Sequence, residues 1–138
     1  MFLFSRKKSK RGDLVLIYAF DEPIALWKLK RSLKKIVGKD LEFYGFTDTE
    51  KLYAAFKQKK ADIVIVDLNY KNLAGRGLIS NIDCYFPRIN YVGLTNKKTD
   101  EEALFMVDVF ASDYIVKPFD TARLREMLGH LRYHTEQI

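Results

Sequence analysis

The sequence predicts an α/β domain: a five-stranded, doubly wound parallel sheet with helices on both faces. Three observations lead there. Short, wholly apolar runs alternate with amphipathic stretches along the chain. The alternation repeats five times without an internal repeat or a low-complexity tract. The apolar runs are continuous rather than period-two, as strands buried on both faces are. Strands that alternate with helical patterns call for right-handed crossovers and a parallel sheet, giving a three-layer α/β/α sandwich.

Each element has its own justification. Leu14–Phe20 is apolar throughout and reads as the first strand. Glu22–Val37 carries Ile24, Leu26, Trp27, Leu29, Leu33, Ile36 and Val37 near helical spacing, with Trp27 expected in the core and Gly38 as the stop. Leu41–Phe46 is the second strand; Thr47 or Thr49 is the expected cap of a helix holding Leu52, Tyr53, Ala55 and Phe56. Ile63–Val66 is the third strand, ending at Asp67. Asn69–Gly77, with Asn72, Gly75 and Gly77, reads as a loop before a helix over Leu78–Tyr85, where Cys84 is expected to pack. Ile89–Leu94 is the fourth strand and ends at Thr95. Thr99 and Glu102 form a capping box for a helix to about Phe110. Tyr114–Val116 is a short fifth strand ending at Lys117-Pro118, and Asp120 or Thr121 caps a last helix with Leu124, Met127, Leu128 and Leu131 on one face.

Composition narrows the class. The chain has 138 residues, enough for one ordinary core, and its 48% hydrophobic and 30% charged content argues against disorder. The single cysteine, Cys84, excludes an intramolecular disulfide, and no apolar run approaches a membrane span of about 20 residues. A cytoplasmic protein is the expectation. Of the +6 net charge, five lie in residues 1–11 as Arg6, Lys7, Lys8, Lys10 and Arg11. Residues 1–12 therefore read as a solvated basic tail, and 135–138 as a short C-terminal one. Met1–Phe4 ahead of those cations would give only a weak interfacial anchor, because four residues bury little. A second acid-free run, Lys28 to Lys39, reads as a solvated face. No zinc spacing or nucleic-acid signature accompanies the basic charge. His130 and His134 share a helix face but lack a third ligand and read as surface histidines.

In doubly wound sheets the functional crevice lies beyond the C-terminal ends of the strands. Those ends here carry Asp21 and Glu22, Asp67, Thr95 and Lys117. Carboxylates, a hydroxyl and an ammonium on one rim suit phosphoryl transfer to a carboxylate: an exposed nucleophilic oxygen, hard ligands for Mg²⁺, and fixed donors for the phosphoryl oxygens.

The motifs Asp21-Glu22-Pro23, Asp67-Leu68-Asn69, Gly75, Gly93-Leu94-Thr95 and Asp113 through Phe119 together resemble the receiver domain of bacterial two-component response regulators, over residues 13–134. The resemblance implies a flavodoxin-like sheet of order 2-1-3-4-5. It implies Asp67 as phosphoacceptor, with Lys117 and Thr95 completing the catalytic set and Thr95 and Tyr114 acting as the switch pair. It also implies a metal site from Asp21, Asp67 and the Asn69 backbone carbonyl, with Glu22 as a further candidate, and a cis Lys117-Pro118 bond. The chain would promote its own phosphorylation and dephosphorylation without being an enzyme. Its partners would be a histidine kinase or phosphotransfer protein, and a downstream target or second copy bound through the 103–110, 114–116 and 121–131 face. With no room for a DNA-binding domain, a stand-alone receiver is expected.

Departures qualify this. Phe20 stands where the family has the first acid of its pair, so weakened Mg²⁺ binding is expected; Phe20 could also shield the site. Lys71, Asn72 and Ala74 replace the usual Pro-Gly and acid. Asn96 is bulkier than usual after Thr95, Lys97 is a cation near the phosphate, and Phe110 replaces a turn glycine. The alternative is a pseudo-receiver, an interaction module independent of phosphorylation. A flavodoxin-like enzyme is disfavoured because Asp-Glu-Pro follows the first strand instead of a glycine-rich phosphate loop.

Overall fold

The computed structural model describes residues 14–86, 89–96 and 113–137, with backbone alone for Asn72 and for residues 132–137. The expected basic tail, Lys97, the capping box at Thr99, the helix to Phe110 and the His134 side chain lie outside that description.

The strands are β1 (Val15–Phe20), β2 (Leu41–Phe46), β3 (Ile63–Asp67), β4 (Asn90–Thr95) and β5 (Asp113–Val116). They form one sheet of order β2-β1-β3-β4-β5, every neighbouring pair parallel. The helices are α1 (Pro23–Val37), α2 (Thr49–Gln58), α3 (Tyr70–Tyr85) and α4 (Thr121–Gln137). This is the three-layer arrangement that the alternation predicts, in the flavodoxin-like strand order that the resemblance implies.

The pleat of β1 divides the core in two. Val15, Ile17 and Ala19 join Ile63, Ile65, Val92, Leu94 and Ile115 under α1 and α4. Leu16, Tyr18 and Phe20 join Val64, Val66 and Tyr91 under α2 and α3. Successive residues of a strand point to opposite faces, so a strand covered on both sides must be apolar at every position. All six residues of β1 and all five of β3 are buried. The only charge among those five is Asp67, at the strand's C-terminal end.

Helix α1 starts at Pro23, whose missing N–H costs nothing in a first turn, and stops at Gly38, with φ of 76°. It buries Leu26, Leu29, Leu33, Ile36 and Val37. Trp27 is not in the core as expected: it is 60% exposed, with Ile24 at 65%. The buried stripe is already complete, and Ile24, Trp27 and Arg31 form the next stripe round, with the Arg31 guanidinium 5.3 Å from the Trp27 ring centre. The cap of α2 is Asp48, accepting from Glu50 N–H at 2.8 Å, rather than Thr47 or Thr49. Asp120 caps α4 by accepting from Arg123 N–H at 2.9 Å. Cys84 is exposed, not packed.

The largest difference concerns α3, which begins at Tyr70 instead of Leu78. Its glycines are weak helix formers, but packing overrides propensity. A Cβ on Gly75 would collide with the Val66 side chain and come within 2.9 Å of the Asp67 carbonyl oxygen. Gly75 thus lets α3 lie directly against the end of β3. The loop character persists at the start, where Lys71 and Leu73 hold φ of 53° and 66°.

Candidate functional site

Four strand ends meet on one edge of the sheet. Asp21 follows β1, Asp67 closes β3, Thr95 closes β4, and Lys117 follows β5. Asp21 and Asp67 are each 3% exposed and Thr95 fully buried. Buried carboxylates need several donors, and the backbone supplies them. Asp67 Oδ1 accepts from Asn69 N–H at 2.7 Å and Tyr70 N–H at 2.9 Å, so the turn out of β3 folds round its own carboxylate. Asp21 Oδ1 accepts from Glu22 N–H at 2.8 Å. The other oxygens face Lys117, whose Nζ donates to Asp21 Oδ2 at 2.7 Å and to Asp67 Oδ2 at 2.6 Å. The Lys117 N–H donates to the Thr95 carbonyl at 2.7 Å, which ties the residue to the end of β4; the Lys117-Pro118 bond is cis, as the resemblance implies.

The charges are interdependent. Burial raises the Asp21 carboxyl above its usual range; the hydrogen bond from Lys117, the Glu22 amide and the Lys117 charge pull it back, while Asp67 pushes it up again. Burial also works against the Lys117 ammonium, but its bonds to Asp21 and Asp67 prevail and hold its pKa above the ordinary lysine value. One protonated amine therefore serves two carboxylates in a largely dry bowl.

Thr95 reaches the site through Asn69. Its hydroxyl donates to Asn69 Oδ1 at 3.0 Å, and Asn96 N–H donates to the same oxygen at 2.8 Å. Sequence reasoning used Asn69 only for its carbonyl and Asn96 only as an obstacle. It missed the amides of Tyr70 and Asn96, although an Asp and an Asn two apart at a strand end are a pattern for side-chain-to-backbone bonds. Tyr114 is half-buried against the α2/α3 side of the core, and its carbonyl accepts from Arg123 at 3.3 Å. Glu22 is exposed. Phe20 does not shield the bowl: it is fully buried under α3, its ring 5.3 Å from that of Tyr70.

A cavity of about 780 Å³ opens from this bowl along α1, lined by Asp21, Glu22, Asp67, Asn69 and Lys117 at one end and by Trp27, Arg31 and Lys35 further out. Among the described residues no group of three or more His, Cys, Asp or Glu side chains is placed to hold a metal ion. The donors present are hard oxygens, the kind Mg²⁺ prefers, and two of the side chains that carry them, Asp21 and Asp67, are carboxylates. They fit a magnesium ion that keeps much of its water.

A parallel sheet whose C-terminal edge holds two buried carboxylates under one ammonium defines a class of α/β domain built round a guarded aspartate. The family model described as response regulator receiver domain matches residues 16–129, and the chain belongs to that family. Solved structures agree in fold. A signal receiver domain of an HD domain-containing protein from Pseudomonas fluorescens superposes with TM-score 0.80 at 17% identity, covering 91% of this chain and 99% of that one. A response regulator receiver domain protein from Clostridium thermocellum gives 0.78 at 21%, with 90% and 98% covered. The chemotaxis protein CheY4 of Vibrio cholerae gives 0.77 at 19%, with 86% and 98% covered. A search of curated proteins returns no match. Receiver domains in general are phosphoacceptors with weak autophosphatase activity that bind Mg²⁺ at the acid pocket and interact with histidine kinases or phosphotransfer proteins.

Proposed function

We propose that this chain accepts a phosphoryl group on Asp67 from a phosphohistidine of a histidine kinase or phosphotransfer protein, and passes the signal on by protein–protein contact. The observation that carries the reading is the contact of Lys117 Nζ with Asp67 Oδ2 at 2.6 Å, inside a bowl that also holds Asp21. A carboxylate at the end of an apolar strand, desolvated and clamped by an ammonium, is a costly arrangement with little structural return.

In the transfer, Asp67 Oδ2 attacks phosphorus, a P–O bond forms, and the P–N bond to the donor imidazole breaks. The departing imidazole keeps the bond's electron pair and takes a proton from solvent. Lys117 moves its hydrogen bond from the carboxylate towards a phosphoryl oxygen, and Thr95 donates to another. Asp21, Asp67 and the Asn69 carbonyl would hold Mg²⁺, whose chemistry is to offset the phosphoryl charge. Water attack on the acyl phosphate releases phosphate and restores Asp67. Repacking of Thr95 and Tyr114 biases the surface built from β5 and α4.

The rest of the reading is that the chain works as a cytoplasmic receiver with residues 13–134 as the domain; α4 runs on to Gln137, so residues 135–137 continue the helix instead of forming the expected C-terminal tail. Among the described residues no helix is long and apolar enough to cross a membrane.

Incubation with acetyl phosphate and Mg²⁺, followed by intact mass, tests the assignment. One added phosphoryl group that Asp67→Asn abolishes is expected; no adduct would overturn it. The alternative is a pseudo-receiver, which Phe20, standing where the family has the first acid of its pair, favours and which the absence of an adduct in the same experiment would support. Magnesium titration is expected to show weak binding that Phe20→Asp tightens. Equal affinity in the two proteins would refute the account of the missing acid.

A further inference from the structure

We propose that the Asn69 carboxamide is a built-in stand-in for a phosphoryl oxygen, occupying in the resting chain the donors that a phosphorylated Asp67 must recruit. The inference rests on the phosphoacceptor reading of Asp67 and assigns a positioning residue within that site.

Two donors converge on a single oxygen. The Thr95 hydroxyl and the Asn96 N–H, one a side chain and the other the next backbone amide, both point at Asn69 Oδ1, at 3.0 and 2.8 Å. A hydroxyl and an amide aimed at one acceptor make a cradle of the oxyanion type. Asn69 is fixed beside the acceptor, because its own N–H donates to Asp67 Oδ1 at 2.7 Å. The side chain that fills the cradle and the carboxylate that would carry the phosphoryl group therefore leave the same turn.

Thr95 is fully buried and its carbonyl accepts from the Lys117 N–H, so the hydroxyl and the ammonium leave two neighbouring strand ends, β4 and β5, that are bonded to each other. A phosphoryl oxygen can enter the cradle only when the carboxamide leaves it. Asn69 thereby sets the resting position of Thr95 and opposes the switched state. A ligand shifts such an equilibrium only by its differential affinity, so the competitor's hydrogen bonds subtract directly from what phosphorylation can supply.

The test is beryllofluoride, a non-transferring phosphoryl mimic, titrated at saturating Mg²⁺ into the full chain and into Asn69→Ala. Alanine keeps both backbone groups of residue 69 and removes the competing oxygen. Binding about five- to tenfold tighter than in the parent chain is expected, the equivalent of one competing hydrogen bond. Unchanged or weaker binding would overturn the proposal. The Asn96 amide proton, followed by NMR without any ligand, should move upfield in Asn69→Ala as it loses its acceptor; an unmoved resonance would also overturn it. Asn69→Ser, too short to accept from both donors, gives the same readouts should the alanine chain not fold. A parent chain that takes up no beryllofluoride would defeat the phosphoacceptor reading itself, whereas the ligand-free Asn96 shift still decides the resting contact.

Discussion

Replacing Lys117 by methionine keeps the side-chain length and removes the charge. Asp21 and Asp67 then face each other with side chains 4% and 5% exposed and no cation between them. Removing one partner of a buried ion pair costs about 3–5 kcal/mol, and the lower end applies because the Lys117 side chain is itself 22% exposed and water can follow it in. With a urea slope of about 2 kcal/mol per molar, about 3 kcal/mol moves the unfolding midpoint by ~1.5 M. The loss should depend on pH with a definite sign. Two uncompensated carboxylates raise each other's pKa, so the folded variant binds a proton more readily than its unfolded chain, and its stability rises as pH falls. In the parent, Lys117 titrates above its ordinary 10.5 and contributes no slope near neutrality, and the Asp21 carboxyl, raised by burial but pulled back by Lys117, gains less on acidification than it does once that ammonium is gone. The deficit at pH 7 should therefore shrink by about 1 kcal/mol or more at pH 5, since a tenfold gain in proton affinity on folding is worth about 1.4 kcal/mol. Urea unfolding followed by circular dichroism at both pH values measures it. A midpoint within about 0.3 M of the parent, or a deficit that grows on acidification, would refute the picture of one ammonium holding two buried carboxylates.

Three other outcomes are expected. Gly75→Ala should cost about 1–3 kcal/mol in urea unfolding, because its Cβ has no room between Val66 and the Asp67 carbonyl. Trp27→Ala should change stability by no more than about 0.5 kcal/mol, whereas Leu33→Ala, fully buried in the same helix, should cost about 2–5 kcal/mol. In an alkaline absorbance titration Tyr18 and Tyr91 should ionise above the ordinary 10.0, burial being the main cause for both, and Tyr44 likewise through its hydrogen bond to Glu42. Their raised folded pKa values add stability that is complete below pH 10 and is lost as pH climbs further; a midpoint insensitive to pH above 10 would contradict this.

The strands were legible because a strand covered on both faces has to be apolar at every position, and an acid closing such a run is conspicuous. That logic located Asp21, Asp67, Thr95 and Lys117, and the sheet order followed from the family resemblance. What escaped was whatever depended on a neighbour's absence or on a side chain's direction. Gly75 and Gly77 look like loop residues until Gly75 is seen to admit the end of β3. Trp27 is apolar at nearly helical spacing, yet it lies one stripe beyond the face that α1 buries. Asp48 took the cap that either neighbouring threonine could have filled. The Asn69 carboxamide was invisible because its two donors lie 26 and 27 residues further along the chain.

Lys117 and Asp21 are 96 residues apart, and Lys117 and Asp67 are 50 apart, yet all three meet through one nitrogen. That geometry makes assembly of the bowl a closing event. No excised fragment short of nearly the whole domain contains its chemistry, and a half-folded chain, lacking the last strand, has aspartates but no grip on them. Competence to take a phosphoryl group would then be acquired at the end of folding, so an unfinished or damaged copy would draw nothing from the cell's supply of signal.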